Sequence, residues 1–544
     1  MLAGRAKEGL WLSGQDLGSS PCSEARTRTP EETIRMRKAF LRMWQSPFCS
    51  PYKTISSVSV KPQPLENAPV QAKPLTEMPG HGIWTMIYWL MRGYLNKTHE
   101  LQLINKKKYG TLWLSEVRGH KAVNVADPHL IEQVLRNEGR FPSRGDIKEW
   151  KEHRRLQGLE FGPILKEGED WHRLRTILNQ RILKPQEAKL YEKTINSVVT
   201  DLIKRIQFLK ETKGSGIMVY DLANEMYRFS FEGISSVVLD CRLGCLEANI
   251  PKETQEFISA VNTMLQMSAI VPVLPEWTRP FLPFWKKHNQ AWDTMFNFAK
   301  RKVDQRLAGL QTQLERGDPV EGDYLTYLLK SQELTQSEIY SSVTDLLLAG
   351  VDTTSNTLTW ALYHLARDQE LQNSVYREVS GVIPGDHIPN AVDLEKMPLV
   401  KAVIKEVLRL YPVVPANGRI LQTDLVLGEY YIPSKVFMVL CHYAASVEES
   451  QFPDPLAFKP ERWIKKEQGK KPHPFSSVPF GYGVRGCLGR RIAELEMYLA
   501  LSRLVKNFEI QTNPKSKPVN PKTRILIVPG APVNLEFHNR SSVV

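Results

Sequence analysis

The residues most suggestive of chemistry form one short glycine-rich loop near the carboxyl end of the chain. It reads Phe480-Gly-Tyr-Gly-Val-Arg485-Gly-Cys487-Leu-Gly489 and fits the pattern F-x-x-G-x-R-x-C-x-G at every fixed position. Glycines allow tight turns and close approach of the backbone to a bound group. Backbone N–H groups at the start of a following helix favour the ionised form of Cys487. A thiolate held in this way is a suitable ligand for a transition metal.

A second set of polar residues interrupts the apolar helical segment Gln336–Arg367. Gly350 is followed there by Asp352 and Thr353, and a local conflict of this kind often marks a functional position. A hydroxyl beside a carboxyl can hold and pass protons, with Asp352 as a general acid. A kink or cap in the helix is the alternative interpretation of the same residues.

Two further pairs have spacings that place them on one face of a helix. Glu406 and Arg409 stand at i and i+3, whereas Trp171 and Arg175 stand at i and i+4. The first pair can form an ion pair, and the second presents one indole and one guanidinium donor in the same direction. Each pair alone is more often an ordinary surface contact, and only its combination with the other motifs indicates a function.

Taken together, these motifs resemble those of the cytochrome P-450 superfamily over roughly residues 78–540. The resemblance implies that Cys487 is the thiolate ligand of a haem b iron, and that Asp352 and Thr353 serve oxygen activation. It implies a structural network that joins Arg462 to Glu406 and Arg409. The haem contacts that it implies are Phe480, Trp171, Arg175, Arg419 and Arg485.

Composition and periodicity predict a mainly α protein with small β-sheets, in agreement with the resemblance. The chain has 544 residues, of which 42% are hydrophobic and 24% charged, as in ordinary globular proteins. Apolar spacings of three and four predict helices over Leu190–Leu209, Phe257–Met267, Ala291–Leu310, Gln336–Arg367 and Pro398–Tyr411. Short strands are predicted at Thr111–Leu114, Ala122–Val125, Asp424–Val426, Val436–Leu440, Arg524–Val528 and Val533–Phe537. We expect one large haem domain over residues 76–544.

The first 75 residues differ from the rest and predict a transit peptide followed by an extended linker. No acidic residue occurs between Met36 and Glu66, and Met36–Trp44 mixes basic with apolar residues. This composition is typical of mitochondrial import signals, although a disordered basic tail is the alternative. No secretory signal or membrane-spanning segment is predicted. The formal charge is +13, but the longest lysine run, 106–108, is too short to favour nucleic acid.

A transit signal points to the mitochondrial branch of the resembled family. That branch receives electrons from an acidic, adrenodoxin-type ferredoxin, which is reduced by an NADPH-dependent flavoprotein. Lys401 and Lys405 match positions where the branch carries ferredoxin-docking lysines, and Arg490 and Arg491 could extend the same basic patch. Surface residues without a partner are the alternative interpretation.

Within that branch the chain is similar to the vertebrate sterol 27-hydroxylase and vitamin D hydroxylase family. It looks most like the members that desaturate all-trans-retinol at carbons 3 and 4, which form vitamin A2 from vitamin A1. Hydroxylation of a sterol or of vitamin D is the alternative within the family. A haem protein that binds a ligand without oxidising it is an alternative of another class, and a structural helical protein without haem is the third.

The same resemblance implies a lipophilic substrate and a peripheral contact with the matrix side of the inner mitochondrial membrane. The segment Ser268–Trp285 is rich in proline and aromatic residues and fits a loop that touches the membrane.

The import signal can be tested on its own. We predict that a fusion of residues 36–61 to a fluorescent protein reaches mitochondria, because this segment combines arginines with an apolar face. Fluorescence microscopy with organelle markers measures the outcome. A fusion of residues 1–35, which contains Glu24, Glu31 and Glu32, is the control and should remain diffuse. Delivery of the 36–61 fusion to the endoplasmic reticulum would overturn the predicted localisation.

Overall fold

A computed structural model describes residues 72–540, apart from 118–119, 185–186, 188, 274–275, 318–323, 465–470 and 514–515. The described residues belong to one compact unit. The predicted transit peptide lies outside them, as does the linker up to residue 71.

Helices dominate the described part of the chain, which confirms the predicted fold class. The first eight are α1 (Ile83–Met91), α2 (Thr98–Tyr109), α3 (Pro128–Arg136), α4 (Lys148–Leu156), α5 (Gly168–Ile182), α6 (Glu192–Lys213), α7 (Leu222–Val238) and α8 (Lys252–Ile270). The others are α9 (Pro283–Glu315), α10 (Tyr324–Lys330), α11 (Gln336–Arg367), α12 (Gln369–Val382), α13 (Ala391–Glu395), α14 (Pro398–Leu410), α15 (His442–Ser446) and α16 (Arg490–Asn507). None of these helices is long and apolar enough to cross a membrane.

The strands are short and form small sheets. They are β1 (Lys73–Pro74), β2 (Gly80–His81), β3 (Leu112–Val117), β4 (His120–Val125), β5 (Met218–Val219), β6 (Asn417–Ile420), β7 (Leu425–Leu427), β8 (Tyr430–Ile432), β9 (Phe437–Leu440), β10 (Phe508–Thr512), β11 (Pro521–Arg524), β12 (Leu526–Pro529) and β13 (Leu535–Asn539). The largest sheet has the order β2-β3-β4-β9-β6, and two three-stranded sheets have the orders β1-β8-β7 and β10-β13-β5. Strands β11 and β12 form an antiparallel hairpin.

The linker prediction needs a small correction. Lys73 and Pro74 already form β1, which pairs in parallel with Tyr430 and Tyr431 of β8. The folded domain therefore begins before residue 76. A linker assignment based on proline spacing missed this edge strand, because an edge strand tolerates proline where its missing N–H is not needed for pairing.

The long helix α11 is the central element that carries the predicted proton-handling pair. Thr335 caps its first turn, and a reciprocal bond from Glu338 completes a capping box. Most α11 side chains are buried, so the helix runs through the interior, where it packs against α7, α9 and α16. The helix also contacts strand β12 of the hairpin and, through α16, adjoins the glycine-rich loop Phe480–Gly489, called the Cys loop below.

One predicted strand is divided in the structure. The sequence predicts Arg524–Val528 as continuous, but β11 ends at Arg524 and β12 begins at Leu526. Ile525 between them has a φ of 68°, a left-handed conformation that is unusual for a β-branched residue. Without glycine, asparagine or proline at the turn, the sequence contains no local signal for this reversal.

Gly350 of α11 has a packing role that the sequence did not indicate. A Cβ atom built on Gly350 would lie 2.5 Å from Cγ1 of Ile234 in α7. Only glycine therefore allows the two helices to approach as closely as they do.

We predict that Gly350→Ala destabilises the folded holoprotein by about 1–3 kcal/mol, because the added methyl group overpacks this contact. Urea or thermal unfolding measures the change. Gly309→Ala in α9 is the matched control, since a Cβ there meets no atom within 4 Å. That control should be stabilising by up to about 1 kcal/mol. In an Ile234→Ala background, Gly350→Ala should cost less than it does in the unchanged protein. Equal effects of the two glycine substitutions would contradict the packing argument.

Candidate functional site

The Cys loop is a compact backbone structure that ends at the start of α16. The Cys487 N–H donates to the Phe480 carbonyl at 2.7 Å, and the Gly486 N–H donates to the Gly483 carbonyl at 3.0 Å. Gly483 has a φ of 68°, and a Cβ atom there would lie 2.5 Å from Oε1 of Glu138. The glycine is therefore needed both for the turn and for the approach of a carboxylate.

Cys487 has an exposed side chain, although protein surrounds it closely. Burial in the surrounding protein raises the pKa of its thiol, whereas a backbone N–H of Gly489 and the cations Arg175, Arg144 and Arg490 lower it. The nearby positive charges favour the thiolate, which is the form that binds a metal.

Arginine side chains converge on the same region. Arg485 and Arg419 are 3% and 4% exposed, and Arg175 is 8% exposed. Burial together with the neighbouring Arg144 lowers the pKa of Arg485 to about 9. Burial together with Arg419 lowers the pKa of Arg144 to about 10.

Only one carboxylate makes a hydrogen bond to these arginines among the described residues. Glu138 Oε2 accepts a hydrogen bond from Nε of Arg419 at 2.6 Å. The cluster of Arg144, Arg175, Arg419 and Arg485 therefore carries a buried excess of positive charge.

The arrangement fits the haem that the sequence resemblance implies. Arg485 gives Nε to the Pro142 carbonyl at 2.8 Å, but its Nη1 has no protein partner, nor does Nε of Arg175. Buried donors of this kind need an acceptor, which two propionate groups can supply. Among the described residues, no cluster of His, Cys, Asp and Glu side chains could hold a metal ion.

Trp171 lies against this cluster. It is 1% exposed, and the guanidinium carbon of Arg485 lies 3.6 Å from the centre of its ring. Arg175, one turn further along α5, donates Nη2 to the Gly486 carbonyl at 2.6 Å. The predicted pair therefore contacts two different residues of the Cys loop, Arg485 and Gly486. The guanidinium carbon of Arg490 lies 5.3 Å from the centre of the Phe480 ring.

The predicted structural residues meet around one buried carboxylate. Glu406 accepts both an Nε and an Nη2 hydrogen bond from Arg409, at 2.9 and 2.7 Å. It also accepts from Nε of Arg462 at 3.0 Å and from Nε1 of Trp463 at 2.9 Å. Arg409 then donates to backbone carbonyls of Ser446 and Pro455. The network ties α14 to the chain segment that precedes the Cys loop.

The structure separates the side chains of the predicted proton-handling pair. The Thr353 hydroxyl donates to the Ala349 carbonyl at 2.7 Å and is half-buried. The Asp352 carboxyl is 1% exposed and accepts a hydrogen bond from Arg524 at 2.6 Å. The role of the pair in catalysis stays a prediction.

The four residues predicted to dock the ferredoxin differ in exposure and in ion pairing. Lys405 is exposed, with its ammonium 6.0 Å from the centre of the Trp463 ring, whereas Lys401 is half-buried. Arg490 and Arg491 share one acidic partner, Glu494, at 3.0 and 3.4 Å. The arginines therefore contribute less net charge to a basic surface than the sequence suggested.

Several site residues were missed by the sequence analysis. Arg144 and Glu138 join the cluster beside Cys487, and Tyr227 and Arg524 contact Asp352. Each lies more than 100 positions from its partner along the chain, so no local spacing could reveal it.

Comparisons with known proteins agree with this geometry. The family model described as "Cytochrome P450" matches residues 78–537. The chain is 44% identical to "Sterol 26-hydroxylase, mitochondrial" of Rattus norvegicus, covering 86% of this chain and 89% of the relative. It is 43% identical to "25-hydroxyvitamin D-1 alpha hydroxylase, mitochondrial" of Homo sapiens (86% and 93% covered). It is 39% identical to "Cytochrome P450 27C1" of Danio rerio (89% and 90% covered).

A solved structure is also similar. The crystal structure of the cytochrome P450DA heme domain matches with a TM-score of 0.72 and covers 87% of this chain and 99% of that one. Its sequence identity is 21%, so this likeness concerns the fold alone.

We predict that Cys487→Ala abolishes the red-shifted Soret band of the reduced carbon monoxide complex, because the change removes the thiolate. Absorption spectroscopy of the purified protein measures it. Cys241→Ala is the matched control and should keep the band, since Cys241 lies outside the loop. A Cys487→Ala protein that retains the band would refute the ligand assignment.

Proposed function

The chain belongs to the cytochrome P450 family, and on that premise we propose that it is a mitochondrial monooxygenase that hydroxylates a sterol. It is an oxidoreductase with a haem-thiolate iron as cofactor. Bound haem supplies the chemistry that activates dioxygen with two electrons and two protons. The chain's own residues hold the cofactor and handle the protons.

The roles of these residues follow from their contacts. Cys487 provides the thiolate, and the donors of Arg175 and Arg485 that lack protein partners would bind the propionates. Asp352 and Thr353 lie at adjacent positions on α11, where a carboxyl can collect protons and a hydroxyl can pass them on. Glu406, Arg409 and Arg462 keep the preceding segment in place, so their role is structural.

The observation that carries the sterol proposal is the identity to named relatives. Four mitochondrial sterol 26-hydroxylases are 44–46% identical over 85–86% of this chain. The two vitamin D relatives are 42–43% identical, and the two cytochrome P450 27C1 proteins are 39–40% identical. None of these relatives has a retinoid in its name. Retinol 3,4-desaturation, which the sequence resemblance implied, stays our second candidate.

One experiment compares these candidate substrates. The purified holoprotein is supplied with ferredoxin, its reductase and NADPH, and is given a cholesterol derivative, 25-hydroxyvitamin D or all-trans-retinol. We predict that the sterol gains one oxygen atom, which mass spectrometry of the product measures. Retinol losing two hydrogen atoms while the sterol is unchanged would favour desaturation. If none of the substrates accelerates NADPH consumption, the result would favour a haem protein that binds its ligand without oxidising it.

We also propose a peripheral contact with the matrix side of the inner membrane. Trp277 and Phe281 are 77% and 84% exposed on the turn before α9, and Trp84 and Met91 of α1 are 80% and 83% exposed. Large exposed apolar side chains of this kind suit the interface between lipid and water. Arg279 between the two exposed aromatics points inward and pairs with Glu149 and Glu152 of α4, which keeps its charge away from that surface.

Electrons come, in this proposal, from an acidic ferredoxin that docks on α14. We predict that Lys401→Gln with Lys405→Gln raises the apparent ferredoxin KM by on the order of tenfold, equivalent to a loss of about 1.4 kcal/mol. Charge at the rim of a small transient interface acts mainly on association, so low salt should accentuate the effect. Steady-state reduction kinetics measure it.

The matched control for that pair is Lys107→Gln with Lys108→Gln, two exposed lysines of α2, which should leave the ferredoxin KM unchanged. The substrate affinity and the carbon monoxide band should also be unchanged in the α14 variant. Unaltered ferredoxin dependence at low salt would show that docking takes place elsewhere.

A further inference from the structure

Asp352 lies at the centre of a buried polar network. Its Oδ1 accepts hydrogen bonds from the Tyr227 hydroxyl and from Nη2 of Arg524, the latter at 2.6 Å. Asn356, one turn along α11, donates Nδ2 to the Tyr227 hydroxyl at 2.9 Å and approaches Oδ2 of Asp352 at 3.3 Å. Both carboxylate oxygens are therefore engaged, and the Thr353 hydroxyl bonds elsewhere, to Ala349.

Arg524 connects this carboxylate to two other helices. Its Nη2 also donates to the Tyr227 hydroxyl of α7, and its Nη1 donates to the Asn262 side chain of α8. The Arg524 side chain is 10% exposed. One guanidinium thus joins α7, α8 and α11, and it does so from the end of strand β11.

The backbone beside Arg524 is strained in the way expected of a functional position. Ile525, the next residue, has a φ of 68° although its side chain is β-branched. Such conformations cost free energy and persist only where the surroundings enforce them. The one-residue reversal between β11 and β12 places Arg524 at the tip of the hairpin, directed toward α11.

From these contacts we propose that Arg524 is a positioning residue for the proton-handling step, which holds the Asp352 carboxyl in a fixed orientation through an ion pair. The charged and titratable groups that act on Asp352 are Arg524 of β11 and Tyr227 of α7, while α8 contributes only the neutral Asn262 through Arg524. The proposal rests on the proposed monooxygenase activity, although its first measurement below needs no turnover.

The electrostatics give the direction of the expected change. Burial raises the pKa of Asp352, and the charge of Arg524 and the Tyr227 hydroxyl lower it. An opposite charge at hydrogen-bond distance lowers a carboxyl pKa by about 1–3 units. Removing Arg524 should therefore raise the pKa of Asp352, since the main charge that opposes the effect of burial is then absent.

The first measurement is pH-difference infrared spectroscopy of the holoprotein, which needs no substrate. The carbonyl band of the protonated Asp352 carboxyl is identified by its loss in Asp352→Asn. In Arg524→Gln this band should persist to a pH higher by about 1–3 units than in the unchanged protein. Arg524→Lys keeps the charge and should titrate almost as the unchanged protein does. Lys522→Gln, an exposed change on the same strand, is the control and should have no effect.

The second measurement is product formed per NADPH consumed, with whichever substrate turns over. Coupling should fall by on the order of tenfold in Arg524→Gln, with the lost electrons appearing as peroxide, because a general acid is misplaced. The pH dependence of this coupling should shift to higher pH, as the titration of the infrared band does. Arg524→Lys should recover coupling in part, because lysine retains the charge but cannot reach Asp352 and Asn262 at once.

The outcomes decide the proposal. An identical Asp352 titration in Arg524→Gln and the unchanged protein overturns it, as does a shifted titration with unchanged coupling. If Arg524→Gln does not fold, as judged by the carbon monoxide band, Tyr227→Phe replaces it and should raise the pKa of Asp352 by a smaller amount. If no substrate turns over, the sterol proposal fails, while the infrared result still decides whether Arg524 acts on the Asp352 carboxyl.

Discussion

Buried positive charge beside Cys487 is the constraint on which the site depends. Arg175, Arg419 and Arg485 are each less than a tenth exposed, and burial combined with mutual repulsion lowers the pKa of Arg485 to about 9. Glu138 compensates only one of these charges. Uncompensated charge in the interior is costly, so a dianionic cofactor and an ionised thiol are what make the arrangement favourable. Folding and haem binding must therefore be coupled.

The opposite polarity prevails around Asp352, for which we propose a role in proton handling. There a single buried carboxylate, Asp352, is surrounded by donors from α7, α11 and β11. The Glu406 carboxylate is satisfied in a comparable way by Arg409, Arg462 and Trp463. The two networks differ in purpose, because Glu406 links two segments of the framework, whereas Asp352 stands next to Thr353 on a helix whose polar residues interrupt an apolar face.

The sequence predicted the elements that carry local signals. The α11 boundaries Gln336–Arg367 agree with the structure, because capping and apolar periodicity act within one helix. The Cys loop and the Glu406–Arg409 pair were likewise visible as fixed spacings. Arg144, Glu138 and Arg524 were not, because a lone charged residue has no spacing that distinguishes a buried partner from a surface one. The turn at Ile525 was missed for a related reason, since tertiary contacts impose it on a residue that disfavours it.

The contacts of Arg524 bear on how one scaffold could serve different lipids. The residues around Cys487 are proposed to bind the cofactor, which is the same whether the substrate is a sterol or a retinoid. Arg524, in contrast, joins the carboxylate of α11 to Asn262 of α8, a helix that leads into the exposed aromatic turn before α9. A substrate whose shape displaces α8 would therefore also alter the grip of Arg524 on Asp352. The position of α8 and the orientation of the Asp352 carboxyl are then not independent, because one guanidinium group connects them.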